Sequence, residues 1–349
     1  MPMRVIDFSK VIENACNEYD SNLSIKSIED ISAKVSTNHV YKITFVNEEV
    51  IIGKLSYFGR YKHFKEDHTI INILSNNLPP PFENFLARSI IKGNEVFTYR
   101  FMNDLLNVWV VFYNPIAISH RLPRRLAENH IATLGNQMAL FHKACSDVKN
   151  ILPASSKTLI TDVQDLLQIL ETEEGQFEYR MHVDQIKEQC NVFLENADKL
   201  GYGSYEAIPV FVDWNIGNFS VNEKNELYSR WDYDWFRMGP RVLDFYFFSR
   251  VVSDVGDRTI FSYLIDTLCE DRFMIFLKNY HKVNPLSEMD VYFMKEAYRF
   301  FILNYIIKYG RYFFHEMYSV RLQKEAYDVY FPMLRKSFNP GKILKELKL

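Results

Sequence analysis

The spacing of apolar residues changes character once along this chain, near residue 102, and that change dictates a two-part architecture. Ahead of it, helical and strand periods alternate. Residues 8–19 have helical spacing, with Val11, Ile12 and Cys16 on one side. The β-rich runs 40–46 and 50–55, joined by Asn47-Glu48-Glu49, predict a hairpin. Helical spacing returns over 64–74, until Leu78-Pro79-Pro80-Pro81 stops it. Residues 85–91 and 95–101 read as two more strands turning through Lys92-Gly93-Asn94. Beyond this point helices dominate, over 126–145, 161–169, 180–200, 257–279, 288–314 and 320–334. The expectation is an α+β fold. A small lobe with an antiparallel sheet and a helix spans 1–102, and a larger, mainly helical lobe spans 103–349.

Composition removes several functional classes. With 48% apolar and 24% charged residues the chain is ordinary globular material, and a net charge of −3 offers no basic excess for nucleic acid or an anionic membrane. The most apolar stretch, 298–314, is interrupted by Arg299, Asn304, Lys308 and Arg311, and a span needs about 20 apolar residues. The start carries no apolar leader, and Cys16, Cys145, Cys190 and Cys269 are too scattered for a disulfide framework or a zinc knuckle. These observations lead us to expect a reduced, cytoplasmic protein. Aromatic residues, 15% of the chain, read as a bulky core.

One region breaks the helical habit of the second part, and it holds the candidate chemistry. Short strands at 208–212 and 227–231 bracket Asp213-Trp214-Asn215-Ile216-Gly217-Asn218 and are followed by Asp232-Tyr233-Asp234. An aspartate, an asparagine and a further aspartate on adjacent loops suit phosphoryl transfer. One carboxylate orients the acceptor hydroxyl, while an amide oxygen and the second carboxylate hold magnesium, a hard cation that takes oxygen ligands. Upstream, Lys54 ends a hairpin strand and a helix carrying Glu66 follows, with Asp67 as the competing acid. A strand lysine paired with a helical acid is a device for gripping phosphates.

Together these features resemble the aminoglycoside phosphotransferase and choline kinase superfamily, the small-molecule relatives of protein kinases. Phe211-Val212-Asp213-Trp214-Asn215-Ile216-Gly217-Asn218 is similar to the family's H-G-D-x-x-x-x-N. Arg230-Trp231-Asp232-Tyr233 resembles its I-D-[FW], and Gly239-Pro240-Arg241-Val242-Leu243-Asp244 its D-P-x-x-D-L-like run. Leu134-Gly135-Asn136-Gln137-Met138-Ala139-Leu140-Phe141-His142 is similar to L-G-x-x-L-A-x-L-H, and Ser36-Thr37-Asn38-His39-Val40-Tyr41 to the nucleotide-loop signature. The resemblance spans roughly residues 30–330.

It implies a two-lobed, protein-kinase-like fold and a kinase using ATP and Mg2+ on a hydroxyl of a small metabolite: a sugar, an amino alcohol or an aminoglycoside-like compound. Carried over, Asp213 is the catalytic base, and Asn218 and Asp232 are metal ligands, with Asp234 assisting the metal or the acceptor. Lys54 is the phosphate clamp and Glu66 its partner. Ser36, Thr37 and Asn38 form the nucleotide loop, Tyr99 to Met102 (with Phe101) the hinge facing adenine, and Asp244 a structural acid. Two departures stand out: Phe211 and Val212 replace the family's histidine and glycine, and the nucleotide loop has no glycine. They keep open an alternative, a catalytically inactive pseudokinase that binds nucleotide as a regulatory module. The chain contains no Walker A, zincin or G-x-S-x-G motif.

Overall fold

The computed structural model describes residues 8–33, 38–104, 106–123, 125–254, 262–334 and 336–349. In the small lobe, α1 (Ser9–Tyr19) precedes β1 (Ile25–Asp30), β2 (His39–Phe45) and β3 (Val50–Ser56); α2 (Tyr61–Asn77) follows. The 50s strand turns back on the 40s strand as its alternation requires, with Ile43 opposite Ile51 and Val40 opposite Lys54. Next come a minimal hairpin, β4 (Ile91–Lys92) and β5 (Glu95–Val96), turning at Gly93 (φ 63°), then β6 (Thr98–Met102) and β7 (Asn107–Tyr113). The sheet is antiparallel, in the order β1-β2-β3-β7-β6.

β7 decides where the small lobe ends. Its sequence, Asn-Val-Trp-Val-Val-Phe-Tyr, is buried from Val108 to Tyr113 because both sheet faces are covered. Val108, Val110 and Phe112 face the core that α1 closes with Val11, Ile12, Ala15 and Cys16. Trp109, Val111 and Tyr113 join Phe64, Ile70, Ile71 and Leu74 of α2 in a core continuous with the large lobe. The sheet therefore runs past the expected boundary at 102 to residue 113. The expected strand at 85–91 is mostly irregular: Leu86 forms an isolated bridge to Arg230, and only Ile91 enters a strand.

The large lobe holds α3 (Glu128–Val148), α4 (Leu159–Ile169) and, after a short unpredicted α5 (Glu173–Glu178), α6 (Val183–Lys199); the three long helices lie close to the predicted ones. Two small antiparallel pairs follow, β8 (Ile208–Val210) with β11 (Arg237–Gly239), and β9 (Phe219–Val221) with β10 (Leu227–Arg230). After α7 (Phe245–Val252), the helix expected over 257–279 starts only at Asp271 and ends at Val283; residues 257–261 lie outside the described residues. The helix Glu288–Phe301 widens into a π-helix over Ile302–Lys308. α3 crosses the Asp271–Val283 helix at Gly135, where a Cβ would lie 2.4 Å from the carbonyl oxygen of Phe276. Among the described residues no helix is long and apolar enough to cross a membrane.

Candidate active site

The two small strand pairs deliver the candidate residues to one place. In the β9–β10 ladder Arg230 lies opposite Phe219, so Asn218 and Trp231 leave it side by side; the Trp231 N–H donates to the Asn218 carbonyl at 3.0 Å. Asp232 is the next residue. In the β8–β11 pair Val210 lies opposite Arg237, which sets the 211–213 loop against the turn carrying Asp234. Asp213, Asn218, Asp232 and Asp234 all line a cleft of about 810 Å³ between the lobes, facing Asn38 and Lys54 from the sheet.

The Asp213 carboxylate is held from three directions. Oδ1 accepts the Asn215 N–H at 3.1 Å and its Nδ2 at 2.5 Å, and Oδ2 accepts Asn218 Nδ2 at 2.9 Å. With Nδ2 turned to Asp213, the amide oxygen is the end of Asn218 that can serve a cation. Lys54 Nζ lies 2.6 Å from Asp232 Oδ1 and 2.8 Å from Asp234 Oδ1. Burial works against the Lys54 charge, but the two carboxylates outweigh it and hold the ammonium above its ordinary pKa. Burial also opposes ionisation of Asp232, where the adjacent Lys54 ammonium wins and lowers the pKa. At Asp234 burial prevails over Lys54, helped by the Asp232 charge, and raises the carboxyl to about 7. Asn38 Nδ2 donates to Asp234, so the start of β2 is tied to the same acids. The donor set is all oxygen, two carboxylates and an amide, which fits a small hard cation such as Mg2+.

The backbone around the site is strained at two non-glycine positions, Val212 (φ 60°) and Asp232 (φ 70°). Val212 stands where the resembled family has glycine. Asp244 offsets the strain: its Oδ1 accepts the N–H groups of Phe211 (2.9 Å) and Val212 (2.6 Å), and its Oδ2 meets His142 Nε2 at 3.0 Å. His142 Nδ1 lies 2.7 Å from the Tyr280 hydroxyl. Burial lowers the His142 pKa even beside Asp244, so the imidazole is neutral, donating from Nε2 and accepting from Tyr280. Asp244 thus takes the structural place expected of it. Phe211 is fully buried and packs on Phe141, Trp214, Tyr233 and Phe236.

Several expectations need correction. Glu66 does not partner Lys54: its Oε2 accepts Ser156 Oγ at 2.6 Å, and Lys62 lies 3.6 Å from Oε1. The competing acid, Asp67, faces inward but pairs with Lys157, whose Nζ also donates to the Phe236 carbonyl at 3.0 Å. Burial raises the Asp67 pKa to about 6 against the pull of Lys157. Tyr99, Phe101 and Met102 belong to β6, at the edge of the sheet, and do not line the cleft. Tyr113 at the end of β7, and Asn114, Pro115, Ile116 and Ile118 after it, line it instead. The apolar run 107–113 followed by Asn114-Pro115 was the signal for that connection. Ser36 and Thr37 lie outside the described residues.

No family model matches the chain. No curated protein matches it in sequence. Solved structures do match in shape over nearly the whole length. The amicoumacin kinase hAmiN in complex with AMP-PNP, Ca2+ and Ami is similar with a TM-score of 0.62 and 12% identity, covering 97% of each chain. The gentamicin–APH(2")-IIa complex is similar with a TM-score of 0.57 and 15% identity, covering 95% of this chain and 99% of that one. Choline kinase LicA from Streptococcus pneumoniae gives 0.53 and 13%, covering 92% and 97%. The chain thus has the two-lobed, protein-kinase-like fold of the aminoglycoside phosphotransferases and choline kinases.

Proposed function

We propose that this protein is a phosphotransferase that moves the terminal phosphoryl group of ATP, with Mg2+, onto a hydroxyl of a small molecule. The observation that carries the reading is the convergence of Lys54, Asp213, Asn218, Asp232 and Asp234 on one interlobe cleft. Phosphoryl transfer asks the protein mainly for positioning and charge, and these residues supply both. Asp213, held by Asn215 and Asn218, orients the acceptor hydroxyl and takes up its proton. Lys54 brings an ammonium to the phosphates. When bound, Mg2+ neutralises phosphate charge, with Asn218, Asp232 and Asp234 as the oxygen donors that hold it. The complex of hAmiN with AMP-PNP and Ca2+ supports a nucleotide and a divalent cation in this fold.

The cleft is also lined by Trp235, Phe313 and Phe314. Among the described residues the carboxylates lining the cleft are Asp213, Asp232 and Asp234, each already assigned to metal or base. That supports a neutral, ring-bearing hydroxyl compound over a polycation, which needs further acids as counter-charges.

The test is Mg2+-dependent ATP consumption across pooled sugars, amino alcohols, hydroxylated aromatic compounds and aminoglycosides, with Asp213→Asn as control. Turnover with one pool, lost in the control, is the expected result. Turnover that survives Asp213→Asn overturns the assignment of the base, and nucleotide binding without any turnover favours an inactive regulatory module.

A further inference from the structure

Arg230 closes β10, two residues before Asp232, and is fully buried. Among the described residues no carboxylate pairs with it. One guanidinium nitrogen, Nη2, donates to the main-chain oxygen of Asp213 at 2.8 Å, while Nε and Nη1 have no hydrogen-bond partner. The guanidinium lies over two rings instead, 4.7 Å from the centre of Phe211 and 4.2 Å from that of Trp214. A buried cation without a direct ion-pair partner is costly, and burial pulls its pKa down against the more distant charges of Asp213 and Asp244. Stability alone gives no reason to keep such a group, since an apolar side chain of similar length would fill the same space.

What the arginine touches gives the reason. Phe211 and Trp214 flank the strained Val212 and Asp213, so one side chain grips the loop by a ring on each side and by the carbonyl between them. Strained backbone persists only where its surroundings over-determine it. Asp244 supplies half of that restraint, an anion on the two N–H groups of 211 and 212. Arg230 supplies the complementary half, a cation on the carbonyl of 213. Its own main chain is fixed by the connection to the small lobe. The Arg230 N–H donates to Phe85 O at 2.6 Å, and its carbonyl accepts the Ala87 N–H at 3.0 Å and the Tyr233 hydroxyl at 3.1 Å.

We propose that Arg230 is a positioning residue that sets Asp213 in the cleft by clamping the 211–214 segment through Phe211, Trp214 and the Asp213 carbonyl. The kinetic half of this inference rests on the phosphotransferase reading; the structural half does not. Cation–π stacking on two rings needs a flat, delocalised ion, so lysine is not an equivalent.

The experiment compares Arg230→Met and Arg230→Lys with the unaltered chain by thermal unfolding, by hydrogen exchange of the 211–218 amides and by Mg2+-ATP turnover. Arg230→Met folds with an unchanged or raised Tm, because an unpaired buried cation has been removed. Its loop amides exchange about tenfold faster than those of the unaltered chain, without a matching change elsewhere in the large lobe. kcat falls by about a hundredfold while KM for ATP stays within about threefold, the signature of a misplaced reacting group. Arg230→Lys recovers part of the loop protection. Loop exchange in Arg230→Met within about threefold of the unaltered chain overturns the proposal, as does a fall in Tm with exchange rising equally throughout the lobe. A chain that transfers no phosphate at all contradicts the functional reading, and the exchange experiment still decides the role of Arg230.

Discussion

Replacing Asp244 by alanine removes three polar contacts from a site with no access to water. Oδ1 receives two N–H groups, at 2.9 and 2.6 Å, and Oδ2 faces His142 Nε2 at 3.0 Å, with Asp244 and His142 both 0% exposed. Each donor left buried and unmatched costs about 1–3 kcal/mol, so the set amounts to roughly 3–9 kcal/mol. Against a total stability of about 5–15 kcal/mol, Asp244→Ala is expected to unfold the large lobe or nearly so. Asp244→Asn keeps the shape and an oxygen facing the two N–H groups. It loses the charge assistance and sets its Nδ2 against His142 Nε2, which must then take the other tautomer and donate from Nδ1 to the Tyr280 hydroxyl, about 1–3 kcal/mol in all. Urea unfolding followed by far-UV circular dichroism measures both variants. An alanine variant within about 1 kcal/mol of the unaltered protein would refute the reasoning, as would alanine and asparagine variants of equal stability.

Two further predictions follow from buried or corrected residues. His68 sits between the Phe64 carbonyl (2.8 Å from Nδ1) and the Tyr113 hydroxyl (2.6 Å from Nε2), which fixes the Nδ1–H tautomer. Burial, with Lys54 and Lys157 nearby, lowers its pKa from 6.5 to about 4 even though the Phe64 bond favours the charged form. Between these values the unfolded chain binds the extra proton at this site, so the contribution of His68 to stability falls as pH drops from 6.5 toward 4 and levels off above 6.5, against opposite contributions from the raised carboxyls of Asp67 and Asp234. At about 1.4 kcal/mol per unit the full change is roughly 3 kcal/mol. His68→Gln should make the slope of the urea midpoint against pH less positive in that window than in the unaltered protein, and an unchanged slope contradicts the assignment. Glu66→Gln should leave turnover within about twofold, because Glu66 holds Ser156 and not the Lys54 ammonium. Loss of activity in that variant would restore Glu66 as the partner of Lys54.

The elements that were legible in the sequence are those whose signals are local. The hairpin at His39–Phe45 and Val50–Ser56 is two β-rich runs joined by a short polar turn, and α2 ends where Leu78 and the prolines forbid more helix. Asp213, Asn218 and Asp232 could be placed because two short strands frame them, and their spacing in the chain matches the chemistry. What was missed depends on long-range pairing. β7 is buried on both faces, so it has no alternation to separate it from other apolar runs, and the hinge expected at Tyr99, Phe101 and Met102 falls on the edge strand β6, away from the cleft. Nothing local tells whether Glu66 or Asp67 faces Lys54. The structure gives Lys54 to Asp232 and Asp234, and Asp67 to Lys157, ninety residues away along the chain. Arg230 carries no sequence signal at all, because its role comes from two rings and a carbonyl that only the folded loop assembles.

Whether the cleft holds a metal–nucleotide complex is tested most directly by calorimetric titration of ATP into the protein with Mg2+ and with EDTA, repeated on Asp232→Asn. Free ATP meets the carboxylates of Asp232 and Asp234 without a bridging cation, so binding in EDTA should be at least about tenfold weaker than with Mg2+. Asp232→Asn should lose most of that Mg2+ dependence. Equal affinity with and without Mg2+, or a Mg2+ effect untouched by Asp232→Asn, would contradict the assignment of these residues to the metal and phosphates.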